Sequence, residues 1–170
     1  EYFLNMTGLN ALHRGVEVEV KFFPTKWLDI NGMFSLGDWK WDSNATGYAF
    51  DDRGMPLNKN GEIASGVGAE DHVSTSILMK GIRVGGSAQT TAALGATVKI
   101  GKSIRVGADW TYAGRNYAYY SLNGNNLSLG KETTVADPWK IPAASQIDMN
   151  ASYKFKMGGL NATLSGNVNN

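Results

Sequence analysis

Between Ile82 and Ile100 one residue parity is apolar or small throughout, running Ile82, Val84, Gly86, Ala88, Thr90, Ala92, Leu94, Ala96, Val98, Ile100. The other parity reads Arg83, Gly85, Ser87, Gln89, Thr91, Ala93, Gly95, Thr97, Lys99. Side chains on a strand point to opposite faces in turn, so a period of two is a strand signal that a helix cannot use. An extended run of this length far exceeds the usual five or six residues of a soluble strand. It suits a tilted strand that crosses a bilayer, which needs about 9–11 residues and often continues above it. The fold expected is an all-β, antiparallel transmembrane β-barrel segment.

The same grammar recurs along the chain. Val16, Val18, Val20 and Phe22 alternate with Glu17, Glu19 and Lys21, and Pro24-Thr25-Lys26 then predicts a tight turn. Leu28, Ile30, Phe34 and Leu36 follow against Asp29, Asn31 and Ser35. After a turn at Gly101-Lys102-Ser103, Ile104, Val106, Ala108, Trp110 and Tyr112 oppose Arg105, Asp109, Thr111 and Arg115. Ile147, Met149, Ala151, Tyr153 and Phe155 oppose Asp148, Asn150, Ser152, Lys154 and Lys156. Past Gly158-Gly159, Leu160, Ala162, Leu164 and Val168 oppose Asn161, Thr163, Ser165 and Asn167. A one-residue slip would drive Lys or Arg into lipid at about 2–4 kcal/mol each near the midplane, so the register is well specified.

The connections alternate in length. Short links fall at 24–26, 101–103 and 158–160, and long polar segments at 43–80 and 119–144. Outer-membrane barrels have short periplasmic turns and long outside loops. Strands over 11–23, 81–100 and 144–157 would then run downward, and those over 27–42, 104–120 and 161 onward upward. Trp39, Trp41, Tyr117, Tyr119 and Tyr120 gather at the outer ends, and Phe22, Phe23, Trp27, Tyr153 and Phe155 near the short turns. That is the arrangement of two aromatic girdles. The competing reading, aromatics packed in a soluble core, does not explain why both strand ends carry them.

Composition adds exclusions. The 170 residues contain no Cys, which excludes a disulfide framework and thiol chemistry. A net charge of +1 gives no nucleic-acid or polybasic signature. The chain opens at Glu1 without a signal peptide and closes at Asn170 in an apparent strand, so a piece of a longer protein is expected.

The run from Gly8 to Val20 (Gly-Leu-Asn-Ala-Leu-His-Arg-Gly-Val-Glu-Val-Glu-Val), with Phe23-Pro24 and Trp27-Leu28, is followed by Asn31 to Asp42. Val84 to Thr91, Arg115 to Ala118, Trp139 to Pro142, Asp148 to Phe155 and Asn167 to Asn170 complete a set that spans nearly the whole chain. In order and spacing these segments resemble the barrel of TonB-dependent outer-membrane receptors. The likeness is closer to the carboxypeptidase-regulatory-domain type than to the starch-utilisation type. The resemblance implies a 22-stranded barrel of which residues 1–170 form a C-terminal part with about six long strands. Residues 11–23 would be the sixteenth strand and 161–170 the twenty-first, with 1–6 ending the fifteenth; the plug, TonB box and last strand lie outside the chain. It further implies an outer-membrane importer that binds a scarce nutrient (a chelate, glycan or peptide) outside and passes it to the periplasm. Its partners would be TonB, the plug domain, outer-membrane lipid, the small-molecule or oligomeric nutrient and, in some receptors, a surface lipoprotein. A passive porin, or a surface-exposed structural or adhesive β-protein, is the alternative that periodicity alone leaves open.

Candidate chemistry is sparse. Glu70-Asp71-His72 contains ligand-type residues, but neighbours on an extended chain diverge, which favours a solvated loop over a metal site. Asp51-Asp52-Arg53-Gly54 followed by Asn58 to Glu62 lacks the spaced acidic ligands of a calcium loop, and two tight turns explain it better. Ser74 and Ser76 near His72 have no oxyanion motif beside them. No catalytic residue, cofactor or metal is expected. The candidate ligand-binding residues are the aromatics of the mouth, Trp39, Trp41, Tyr48, Phe50, Tyr117, Tyr119 and Trp139, for which interfacial anchoring is the rival role. The charged inward parity, Glu17, Glu19, Asp29, Arg105, Asp109, Arg115 and Lys154, is expected to form wall ion pairs and plug contacts.

Overall fold

A computed structural model describes residues 2–65, 71–120 and 127–170. Eleven strands and no helix are formed by these residues. In chain order they are β1 (Tyr2–Thr7), β2 (Ala11–Thr25), β3 (Leu28–Trp41), β4 (Ala45–Asp51), β5 (Ser74–Leu78) and β6 (Ala88–Ile100). They continue as β7 (Ile104–Tyr117), β8 (Glu132–Thr134), β9 (Lys140–Ile141), β10 (Ala144–Met157) and β11 (Leu160–Val168). No described helix is long and apolar enough to cross a membrane, which has no bearing on crossing by strands. The chain forms two compact units, one of residues 14–38, 87–116 and 140–170, the other of 1–13, 39–86 and 117–139.

The first unit is a wall of long strands in the order β11-β10-β7-β6-β3-β2, with the short β9 paired to β7. Register carries the sequence parity across it. One apolar row runs Leu28, Val98, Val106, Ala151, Gly166, and the next Ile30, Ala96, Ala108, Met149, Val168. Directly opposite residues share a face, so these rows form one continuous apolar surface. It is open: Val16, Val18, Val20, Phe22, Leu94, Ile147, Met149, Leu160, Leu164 and Val168 are all exposed. The other face carries Asn31, Gly95, Asp109 and Asp148 in one row. There Lys99 pairs with Asp29 at 2.6 Å, as the wall ion pairs predict, and Lys21 lies 3.5 Å from Glu19.

Three sequence expectations shift. The turn after β2 is centred on Lys26 and Trp27, because Pro24 and Thr25 remain in the strand. The long alternation from residue 82 is regular strand only from Ala88. Gly86 takes a φ of +93°, where L side chains are strained, and a Cβ at Gly85 would overlap the Ala118 carbonyl. Residues 81–84 are instead tied to the end of β3, Trp41 N–H donating to Ile82 O at 2.9 Å and Val84 N–H to Trp39 O at 3.1 Å. Finally, residues 43–80, read as a polar loop, contribute β4 and β5 to a small sheet of order β1-β4-β5-β8. β1 therefore pairs with β4, antiparallel, from Tyr2 opposite Asp51 to Thr7 opposite Thr46.

This second unit has what the wall lacks, a buried core. Ala45, Ile77, Met79 and Val135 cluster there, with Met6, Trp41, Ile82, Tyr120 and Leu127 packed around them. Pairing of β4 with β1 and β5 brings Ala45, Gly47 and Ala49 inward, all small and all buried. A Cβ at Gly47 would overlap the Asn5 carbonyl, so glycine permits this close approach of β1.

Candidate functional site

The seven mouth aromatics all belong to the second unit, where they separate into distinct groups. Tyr48 and Phe50 alternate with Ala49 on β4, so their rings share its outer face. His72 fills the space against both. Its ring centroid lies 4.6 Å from Tyr48 and 5.1 Å from Phe50, the latter edge to face. The His72 Nε2–H donates to the Ala49 carbonyl at 3.1 Å, which fixes the imidazole over the strand. The result is a three-ring shelf whose outermost member, Tyr48, is exposed.

A second group surrounds Ala118. Its N–H donates to the Trp139 carbonyl at 2.9 Å, and Gly86 N–H donates to the Tyr117 carbonyl at 2.8 Å. Tyr119 and Trp139 are exposed, Tyr119 lying over Gly86. Tyr117 is buried, with the Arg83 guanidinium 5.8 Å above its ring. Among the described residues no ring contact joins Tyr48 or Phe50 to Tyr119 or Trp139. Trp39 stacks on His13 at 5.2 Å, and Trp41 packs against the buried core. Trp41, packed on the buried core, and Tyr117, itself buried, are thus internal to this unit rather than members of an outward-facing belt.

His72 is the residue that sequence reasoning undervalued. Its signal, a lone His after acidic residues, suggested a loop, since nothing local ties it to an aromatic pair more than twenty positions upstream. Asp71 does not turn toward it as a metal partner; its carboxylate accepts from Ser65 N–H at 2.6 Å. Glu70 lies outside the described residues, as do parts of both long connections at 66–70 and 121–126. Among the described residues no three metal-ligating side chains converge. Ser76 shares a hydrogen bond with Thr46 across the sheet, and the His72 Nε2 is turned to the Ala49 carbonyl instead.

The Asp51 and Asn58 segments are two copies of one turn. In the first, Asp51 Oδ1 accepts from Arg53 N–H at 2.9 Å and Met55 N–H at 2.8 Å, and Gly54 has φ +78°. In the second, Asn58 Oδ1 accepts from Asn60 N–H at 2.9 Å and Glu62 N–H at 3.1 Å, and Gly61 has φ +80°. The carboxylate of Asp51 is held below the ordinary carboxylate range by the Met55 amide first and by Arg53 after it. These side chains hold their own backbone, which supports the reading of paired turns over a calcium loop.

The wall presents one apolar and one polar face, and the second unit carries exposed aromatic side chains, the pattern of a β-barrel wall and of a water-facing extension. The chain matches the family described as TonB dependent receptor-like, beta-barrel, over residues 8–170. It belongs to that family, whose members are transport receptors of the Gram-negative outer membrane rather than enzymes, and which act in general with TonB and a plug domain. Comparison with curated proteins and with solved structures gave no match.

Proposed function

We propose that residues 1–170 are the C-terminal part of the barrel of an energised importer. The whole receptor binds a scarce nutrient (a chelate, glycan or peptide) outside and releases it to the periplasm when TonB acts on the plug. A surface lipoprotein covering the aromatic unit is a further partner in this reading. The observation that carries cargo capture is the shelf of Tyr48, Phe50 and His72, which presents ring faces to water from a strand anchored on a buried core. Ring faces suit sugar, peptide and chelate surfaces alike, and Tyr119 and Trp139 offer a second exposed pair.

Uptake by cells carrying the full-length receptor tests the reading. The probes are a labelled ferric chelate, an oligosaccharide and an oligopeptide, each with and without a protonophore. One of the three is expected to enter in an energy-dependent way. Y48A/F50A should lower that uptake about tenfold, the effect of losing two ring contacts of ~0.5–1.5 kcal/mol each. Entry indifferent to the protonophore would identify a passive porin and overturn the proposal.

A further inference from the structure

The apolar face of the wall ends in charges. On β2 the outward parity runs Phe22, Val20, Val18, Val16 and then Arg14; on β3 it runs Leu28, Ile30, Phe34, Leu36 and then Asp38. Arg14 Nη2 lies 3.0 Å from Asp38 Oδ2. A third group arrives from β7, where Arg115 is the one described non-glycine residue with positive φ, at +51°. Its Nη1 donates to the Gly37 carbonyl at 2.9 Å, and its Nη2 lies 3.9 Å from the other Asp38 oxygen. Arg115 occupies the inward parity of β7, so the left-handed backbone accompanies its departure from the inner-wall role that the sequence suggested. These three side chains, with Val16, Leu36, Gly15 and Gly37, line an open surface cavity, a shallow groove of about 370 Å³ that is mainly apolar.

Height locates the cavity. From Leu28 to Asp38 is ten residues of strand. At ~3.3 Å per residue and a tilt near 40°, that is about 25 Å, the height of an outer-membrane apolar band. With the short turns at the periplasmic side, Arg14, Asp38 and Arg115 stand where the outer leaflet's headgroups begin. Two guanidinium groups share one carboxylate there, and the Arg14 side chain is 69 % exposed. A planar guanidinium presents donors in a fork that matches phosphate oxygens, and long cationic side chains at a membrane rim reach for headgroups.

We propose that this cavity is a docking site for a phosphate-bearing lipid of the outer leaflet. The phosphate sits on Arg14 and Arg115, and an acyl chain lies along Val16 and Leu36. Asp38 holds the two cations apart and at the right height. The strain at Arg115 is retained because it places a guanidinium where a regular strand would not. This site lies on the wall alone and is independent of which cargo the receptor carries.

Native mass spectrometry of the delipidated full-length receptor tests it, with a bis-phosphorylated, multiply acylated glucosamine lipid and its dephosphorylated counterpart as probes. The wild-type receptor is expected to retain the phosphorylated lipid about tenfold more tightly than the dephosphorylated one. R14Q/R115Q should remove that preference, while K102Q, in a short turn, keeps it. The magnitude is that of one charge-assisted hydrogen bond lost net, about tenfold, or ~1.4 kcal/mol. Equal retention of the two lipids by wild type would overturn the proposal, whatever the variant does. Displacement of the lipid by millimolar inorganic phosphate would also overturn it, by identifying a small-anion site. The wild-type arm stands even if the double variant does not assemble.

Discussion

The wall and the aromatic unit obey opposite burial rules within one chain. Every buried hydrophobic side chain among the described residues (Ala45, Ala49, Leu57, Ile77, Met79, Tyr117 and Val135) belongs to the aromatic unit. The wall contributes none, and most of its apolar face is exposed, with Leu28, Ile30 and Val98 half-buried. A soluble sheet would lose about 25 cal/mol for each Å² of such surface left in water. In the wall that surface is satisfied by lipid, and the strand ladders satisfy the backbone. The comparison teaches that exposure alone is uninformative; what matters is whether exposed apolar positions keep one parity across neighbouring strands. They do across five strands here, from Leu28 through Val98 and Val106 to Ala151 and its neighbours on β11.

The largest test of this contrast places a charge on each unit. Leu94, 54 % exposed, sits opposite Gly32 and Trp110 near the middle of the wall. Leu94→Arg should destabilise the lipid-embedded barrel by about 2–4 kcal/mol, read from urea unfolding in bilayers. Ile63, 45 % exposed in the aromatic unit, should tolerate Arg within about 0.5 kcal/mol. Equal costs at the two positions would erase the distinction between lipid-facing and water-facing surfaces.

A smaller effect is expected from Ile77→Val. Ile77 is 2 % exposed in the one unit that has a core among the described residues, so losing one methylene should cost about 0.5–1.5 kcal/mol. Hydrogen exchange should show it as faster opening of β4 and β5, with the wall unchanged. Loss of protection in β7 or β10 instead would mean that the two units unfold together.

The smallest effect is a pH dependence at Asp51. Its folded pKa lies below the ordinary carboxylate value, so the contribution is fully present above that value and lost as pH falls through the folded one. Protection of the Met55 amide should decline in acid in the wild type, and Asp51→Asn should be lower only above that transition and show no such transition itself. A profile that is flat with pH in the wild type would break the assignment of the Met55 amide as the main cause.

How legible the molecule was depends on what each element packs against. β10 was readable over 144–157, because lipid on one side and polar groups on the other force strict alternation from Ile147 to Lys156. β4 escaped notice for the opposite reason. Its inward residues are Ala45, Gly47 and Ala49, too small to register as hydrophobic, while Tyr48 and Phe50 face outward. β8 has three residues and pairs in parallel with β5 across more than fifty positions of chain, beyond any local pattern. At the candidate site Tyr48 and Phe50 were legible only as aromatics of a long loop; their shared strand face and the His72 ring against them come from the fold. Arg115 was read as an inward wall charge, since sequence parity assumes regular strand and carries no sign of a residue at φ +51°.

The paired turns at Asp51 and Asn58 have a consequence for assembly. The side-chain hydrogen bonds that shape them span four residues or fewer, from Asp51 to Met55 and from Asn58 to Glu62. Contacts that local close on the microsecond scale and need no partner strand. A hairpin tip of this kind can take its shape from its own few residues, before the sequence-distant β1–β4 and β5–β8 pairings are found.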